Sequence, residues 1–168
     1  MSKQKVRGLK RKTRNMIALI EYHTREFPDD FYKHYWHMHL PIAQHFIDSE
    51  KTPASIKRLC MQALIDRAAH LIDIKPVNQQ HYRVVASISL PGLRDSQMIV
   101  FEGDHYFNRF FKRDDEYQKW IPLSEQKNIA AEWGLSIPGN MHVLGFREEI
   151  VDEDETYEGE VWFIGELV

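Results

Sequence analysis

One cysteine in 168 residues, Cys60, excludes an intramolecular disulfide and any cysteine-built zinc cluster, and it fits a reducing compartment. Long apolar runs are missing too: residues 16–20 are interrupted by Glu21, short of the roughly seven residues a signal-peptide core needs and far from the roughly 18 of a membrane span. A cytoplasmic protein with no membrane association is therefore expected. Glycine (8) and proline (7) are too few and too scattered to make a linker, and no segment repeats, so one domain is expected. There is no GxSxG, Walker A loop, GxGxxG or HExxH, and no His/Cys spacing of zinc-finger type, which leaves serine-hydrolase, nucleotide-loop, dinucleotide and zincin readings unsupported.

The first fourteen residues also lack any acid. They carry Lys3, Lys5, Arg7, Lys10, Arg11, Lys12 and Arg14; of the 22 Lys+Arg these leave 15 against 25 Asp+Glu, about −10 on residues 15–168. Charge polarised in this way suits an arm that docks on a polyanion. Three fates for the arm stay open: a nucleic acid, an acidic protein surface (including the chain's own residues 152–155, in cis or across a homodimer), or plain solvation.

With 43% hydrophobic and 12% aromatic residues, the rest of the chain can fill one core. Met16, Ile17, Ile20 and Phe27 follow a helical period from Thr13 to before Pro28, and Pro41 opens a short helix reaching Asp48. The clearest helix starts at Thr52-Pro53 and shows an apolar stripe of Ile56, Leu59, Cys60, Ala63, Leu64, Ala68, Leu71 and Ile72. Beyond Pro76 the pattern becomes β-like. Residues 83–90 and 97–102 read as one hairpin and residues 141–151 and 157–167 as another, with a short helix over 124–133 ending at Gly134 and an apolar C-terminus packed into the fold. The expected architecture is α+β: a basic arm over residues 1–14, then one domain over 15–168 whose N-terminal helices pack on a mostly antiparallel sheet of about four strands.

Candidate chemistry concentrates in the histidines. His34, His37, His39 and His45 cluster around Pro41, and in an extended segment His37 and His39 share a face, which suits an acid/base pair or an anion contact. A metal would need a third ligand among Asp48, Asp66, His70 or His105, so no metal and no cofactor is expected. The plainer expectation is that these imidazoles are half-buried packing residues. Asp66 and His70 stand four apart on the clear helix, as a carboxylate-oriented imidazole or an ordinary surface pair. Gly103-Asp104-His105 ends a strand as a functional loop would, but the order Gly139-Asn140-Met141-His142 does not make a metallophosphatase motif. Tyr106, Phe107, Phe110 and Phe111, interleaved with Arg109, Lys112 and Arg113, could stack bases, though core aromatics beside a charged edge explain the same letters. Cys60, on the apolar stripe, is expected to be a buried small hydrophobe.

At Val6-Arg7-Gly8-Leu9-Lys10-Arg11-Lys12-Thr13-Arg14-Asn15, Tyr35-Trp36-His37-Met38-His39-Leu40-Pro41, residues 59–72, Ile99-Val100-Phe101 with Tyr106-Phe107, Lys119-Trp120-Ile121-Pro122-Leu123 and residues 159–167, the chain resembles a family of small bacterial proteins classed only as a domain of unknown function. The resemblance spans nearly the whole length and implies a bacterial cytoplasmic protein; it carries over no catalytic residue. The leading expectation is a non-enzymatic binding module whose arm, Lys3 to Arg14, docks on an acidic protein or a nucleic acid. The alternatives are a small hydrolase or phosphodiesterase using His37 and His39, and an immunity or antitoxin-like protein using its acidic body.

Overall fold

The structure, a computed structural model, describes residues 8–41, 52–125, 127–150 and 157–167. In chain order the elements are α1 (Leu9–His23), β1 (Tyr35–His39), α2 (Ala54–Asp73), β2 (Tyr82–Leu90), β3 (Gln97–Glu102), α3 (Gly103–Phe110), β4 (Gln118–Ile121), α4 (Ile129–Trp133), β5 (His142–Ile150) and β6 (Tyr157–Gly165). The strands form one sheet in the order β1-β3-β2-β6-β5-β4, with every neighbouring pair antiparallel.

The fold is thus α+β in a single domain, but with six strands where about four were expected. The two extra strands are the edges, β1 and β4, of five and four residues. Each buries only part of its length, so neither leaves the strong alternation or long β-branched run that marks a strand in sequence. Both expected hairpins are present, with strand ends within a few residues of those read from sequence.

Helices cover both faces of the sheet. On one, Val84, Ala86, Ile88, Met98, Val100, Trp162 and Ile164 pack against Cys60, Met61, Leu64, Ile65, Ala68 and Leu71 of α2 and Met16 and Ile20 of α1. On the other, Val85, Ile99, Phe101, Val161 and Phe163 pack against Phe107 of α3. Burial on both faces explains why β2 is apolar almost throughout instead of alternating. Full burial of a side chain such as Ile20 stabilises by about 1.5–3 kcal/mol, so α1 is held by its inner face, not by its ends.

Two glycines are required by packing. Val84 O occupies the space a Cβ on Gly165 would take, and the Trp120 ring does the same at Gly145, where the β5–β6 register shifts. The C-terminal strand is buried from Val161 to Ile164, as its composition led us to expect. It is then fastened by an ion pair: Lys75 Nζ lies 2.6 and 2.7 Å from the two Glu166 carboxylate oxygens and donates to Tyr82 O at 2.7 Å. Glu166 Oε2 also accepts from Val84 N at 2.8 Å.

Several boundaries differ from expectation. The helix read as starting at Thr13 begins at Leu9, so residues 9–14 of the supposed arm are helical, and Thr13 Oγ1 donates to Leu9 O at 2.9 Å. Pro53, not Thr52, precedes α2 as its cap residue. Asn128, not Ser124, caps α4: its Oδ1 accepts from Ala131 N at 3.0 Å, and Gly134 ends the helix in the left-handed region (φ 65°) as expected. The helix read after Pro41 lies outside the described residues.

Candidate functional site

Strand alternation decides where the β1 side chains go. Trp36 and Met38 pack on the α1/α2 side, and Tyr35, His37 and His39 project from the opposite one. His37 and His39 do share a face, with ring centroids 5.2 Å apart and nearly perpendicular, and Tyr35 stacks on His37 at 5.1 Å. Both histidines are exposed, and so is His34, which corrects the expectation that they are half-buried packing residues. Their strand lies at the sheet edge, beside β3 alone among the described strands. Desolvation against its neighbours, and secondarily the charge of His39, lowers the His37 pKa below its ordinary value. No described carboxylate pairs with either ring.

The imidazole–carboxylate contacts lie elsewhere. Residues 32–35 form a two-residue hairpin turn, closed by Tyr32 N to Tyr35 O and Tyr35 N to Tyr32 O, both 3.0 Å. Lys33 and His34 have positive φ (51° and 65°), where such turns prefer Asn-Gly. Side chains there are strained by about 1–3 kcal/mol each. The turn is held by Glu102, whose N–H donates to His34 O at 3.1 Å and whose carboxylate pairs with His34 Nδ1. His81 Nε2 lies 3.5 Å from the other Glu102 oxygen. Sequence gave no signal for this cluster, because only the β1-β3-β2 pairing brings residues 34, 81 and 102 together.

Asp66 does not orient His70; its Oδ1 accepts from Gln62 Nε2 at 2.8 Å. His45, Asp48 and residues 152–155 fall outside the described residues, as do the side chains of Asp104, His105, Tyr106 and Phe110. Phe107 is buried and stacks on Phe101, and Phe111 packs beside it, so the described part of that aromatic segment is core; Lys112 Nζ rests 5.7 Å from the Trp120 ring. Cys60 is fully buried, and burial pushes its thiol up to about 12. Among the described residues no group of three or more His, Cys, Asp or Glu could hold a metal ion, and no helix is long and apolar enough to cross a membrane.

Of the cationic candidates, Lys3, Lys5 and Arg7 lie outside the described residues. Lys10, Arg11, Lys12 and Arg14 are exposed on the opening turns of α1. Gly8 precedes them in the left-handed region (φ 77°), no side chain caps the helix, and no acid stands in its first turn. Lys10, Arg11 and Arg14 form no ion pair with a described carboxylate. Lys10, Arg11 and Lys12, in the first turn, stand at the positive end of the helix dipole and weaken α1 by about 0.3–1 kcal/mol each; Arg14 follows in the second turn.

The family model described as "Protein of unknown function (DUF3916)" matches residues 17–166, in keeping with the resemblance carried by residues 35–41 and 159–167. No curated protein and no solved structure matches the chain.

Proposed function

The chain belongs to this family of proteins of unknown function, and from its own residues we propose that it is a non-enzymatic module that docks on an anionic macromolecule, an acidic protein or a nucleic acid, through the start of α1. The observation that carries this reading is the placement of Lys10, Arg11, Lys12 and Arg14: exposed, uncapped and with no acid in the first turn, at the helix end where cations are least favourable for the helix itself. Helix stability does not account for them there. An external anion does, because helix-end N–H groups and neighbouring cations attract it together. Lys3, Lys5 and Arg7, just upstream, extend the same charge. A bacterial cytoplasm, reducing toward the single Cys60, is the setting we assign.

The test uses Lys10→Gln/Arg11→Gln/Arg14→Gln in the full chain, against a labelled duplex DNA of about 20 base pairs and against polyglutamate. These substitutions remove charge but leave the inner face (Thr13, Met16, Ile20) intact. Wild-type protein binds one of the two probes, and the variant binds it at least about tenfold more weakly, with thermal stability unchanged or raised because the removed cations oppose the helix dipole. If DNA is the probe bound, the log–log salt slope falls by about 3 units in the variant, from roughly −0.9 per neutralised phosphate. Equal binding by wild type and variant refutes the proposal.

A His-dependent hydrolase or phosphodiesterase is the second reading. It is favoured by one observation, the placement of His37 and His39 exposed on one face with ring centroids 5.2 Å apart, close enough to act as an acid/base pair. It requires turnover that is lost in His37→Ala while the fold is retained.

A further inference from the structure

Between α1 and α2 lies an open groove of about 480 Å³, lined by Ala18, Glu21 and Tyr22 of α1, Arg25 just past its end, and Arg67 and His70 of α2. Three of the six side chains bear basic nitrogens and one a carboxylate.

Arg67 is fixed in place. Its Nε donates to Thr24 Oγ1 at 2.8 Å and its Nη2 to Thr24 O at 3.0 Å, and Thr24, fully buried, donates in turn to Ile20 O at 2.7 Å. Two of the three guanidinium nitrogens therefore close the C-terminal end of α1, and Nη1 has no partner among the described residues. A donor locked by its neighbours binds an anion without first giving up side-chain freedom. His70 follows Arg67 by three residues, on the same side of α2. Arg25 lies over the Tyr22 ring, 5.5 Å from its centroid, and has no described carboxylate partner. The Tyr22 side of the groove is wet: that residue is 64% exposed.

We propose that this groove binds a nucleotide, with Arg25, Arg67 Nη1 and His70 on the phosphate, the base stacked on the Tyr22 face opposite Arg25, and Glu21 accepting from ribose hydroxyls. The single carboxylate selects the class. Beside an inorganic anion Glu21 is only repulsive, whereas beside a nucleoside it gains hydroxyl donors. The site shares no residue with Lys10, Arg11, Lys12 and Arg14, so it stands or falls independently of the docking role proposed for them.

Calorimetric titration of the full chain with 5′-AMP, in phosphate-free buffer, tests it, with inorganic phosphate and adenosine as the comparison ligands. AMP binds with one-to-one stoichiometry and more tightly than either comparison ligand. Arg25→Gln and His70→Gln, which leave the Arg67–Thr24 contact in place, each weaken AMP by roughly tenfold or more. Glu21→Gln narrows the gap between AMP and inorganic phosphate, and Lys10→Gln/Arg11→Gln/Arg14→Gln leaves AMP affinity within about twofold. No saturable AMP binding, AMP binding unchanged in both Arg25→Gln and His70→Gln, or inorganic phosphate bound as tightly as AMP by wild type overturns the assignment.

Discussion

Lys75 and Glu166 join the end of α2 to the end of the chain, and replacing one of them leaves the other charged in a site built for a pair. The Lys75 side chain is 1% exposed and that of Glu166 15%. In Glu166→Gln the ammonium keeps the Tyr82 carbonyl at 2.7 Å but faces an amide where two carboxylate oxygens had been. Stranding one partner of a buried pair costs about 3–5 kcal/mol. A domain of this size typically has about 5–15 kcal/mol in total, so the loss is a large fraction of its stability. At roughly 2–4 °C per kcal/mol it lowers the Tm by about 6–20 °C. The double variant Lys75→Met/Glu166→Leu removes both charges and leaves Tyr82 O and Val84 N without these partners, about 1–3 kcal/mol each. The double variant is therefore less destabilised than the two single changes added together. Urea unfolding of wild type, Glu166→Gln, Lys75→Met, Glu166→Leu and the double variant Lys75→Met/Glu166→Leu measures all of this, the last three closing the cycle with wild type. Single changes within about 0.5 kcal/mol of wild type, or strictly additive ones, refute the reasoning.

Three further outcomes follow from the geometry. Gly145→Ala drives a methyl group into the Trp120 ring and costs about 1–3 kcal/mol, read as a lower Tm. Cys60, with its thiol pushed up to about 12 by burial, reacts with a thiol reagent at pH 8 only as fast as the protein unfolds; rapid labelling of native protein contradicts its placement. His37 titrates below the ordinary 6.5 in an NMR pH series, and His39→Ala moves it upward by removing the neighbouring charge. Because the unfolded chain takes up that proton more readily, the His37 contribution to stability is complete above about 6.5 and is lost as pH falls through the folded value.

How much of this was legible in the sequence depends on the element. Both hairpins and most of the α2 stripe were, because a helix with one buried face and strands with long apolar runs leave strong local patterns; Leu59, expected on that stripe, is 49% exposed, while Met61 and Ile65, not expected on it, are buried. The edge strand β1 was read only as an extended segment, which sufficed to put His37 and His39 on one face but not to show that the face is exposed. Nothing local marks Lys75 as buried, since its partner lies 91 residues away. The pairing of His34 and His81 with Glu102, and the facing of Arg67 with Thr24, arise only once strands and helices are assembled. The cations of α1 were visible from the start, but the beginning of the helix beneath them at Leu9 was not, because its opening turns carry no cap and no acid to announce them.

The most direct check on the central claim is an amide chemical-shift titration of the isotopically labelled chain with the polyanion that it binds, DNA or polyglutamate. The account predicts saturable shifts largest over residues 8–15 and absent from Lys10→Gln/Arg11→Gln/Arg14→Gln. Shifts centred on β1 or on the sheet, or none with either polyanion, contradict it.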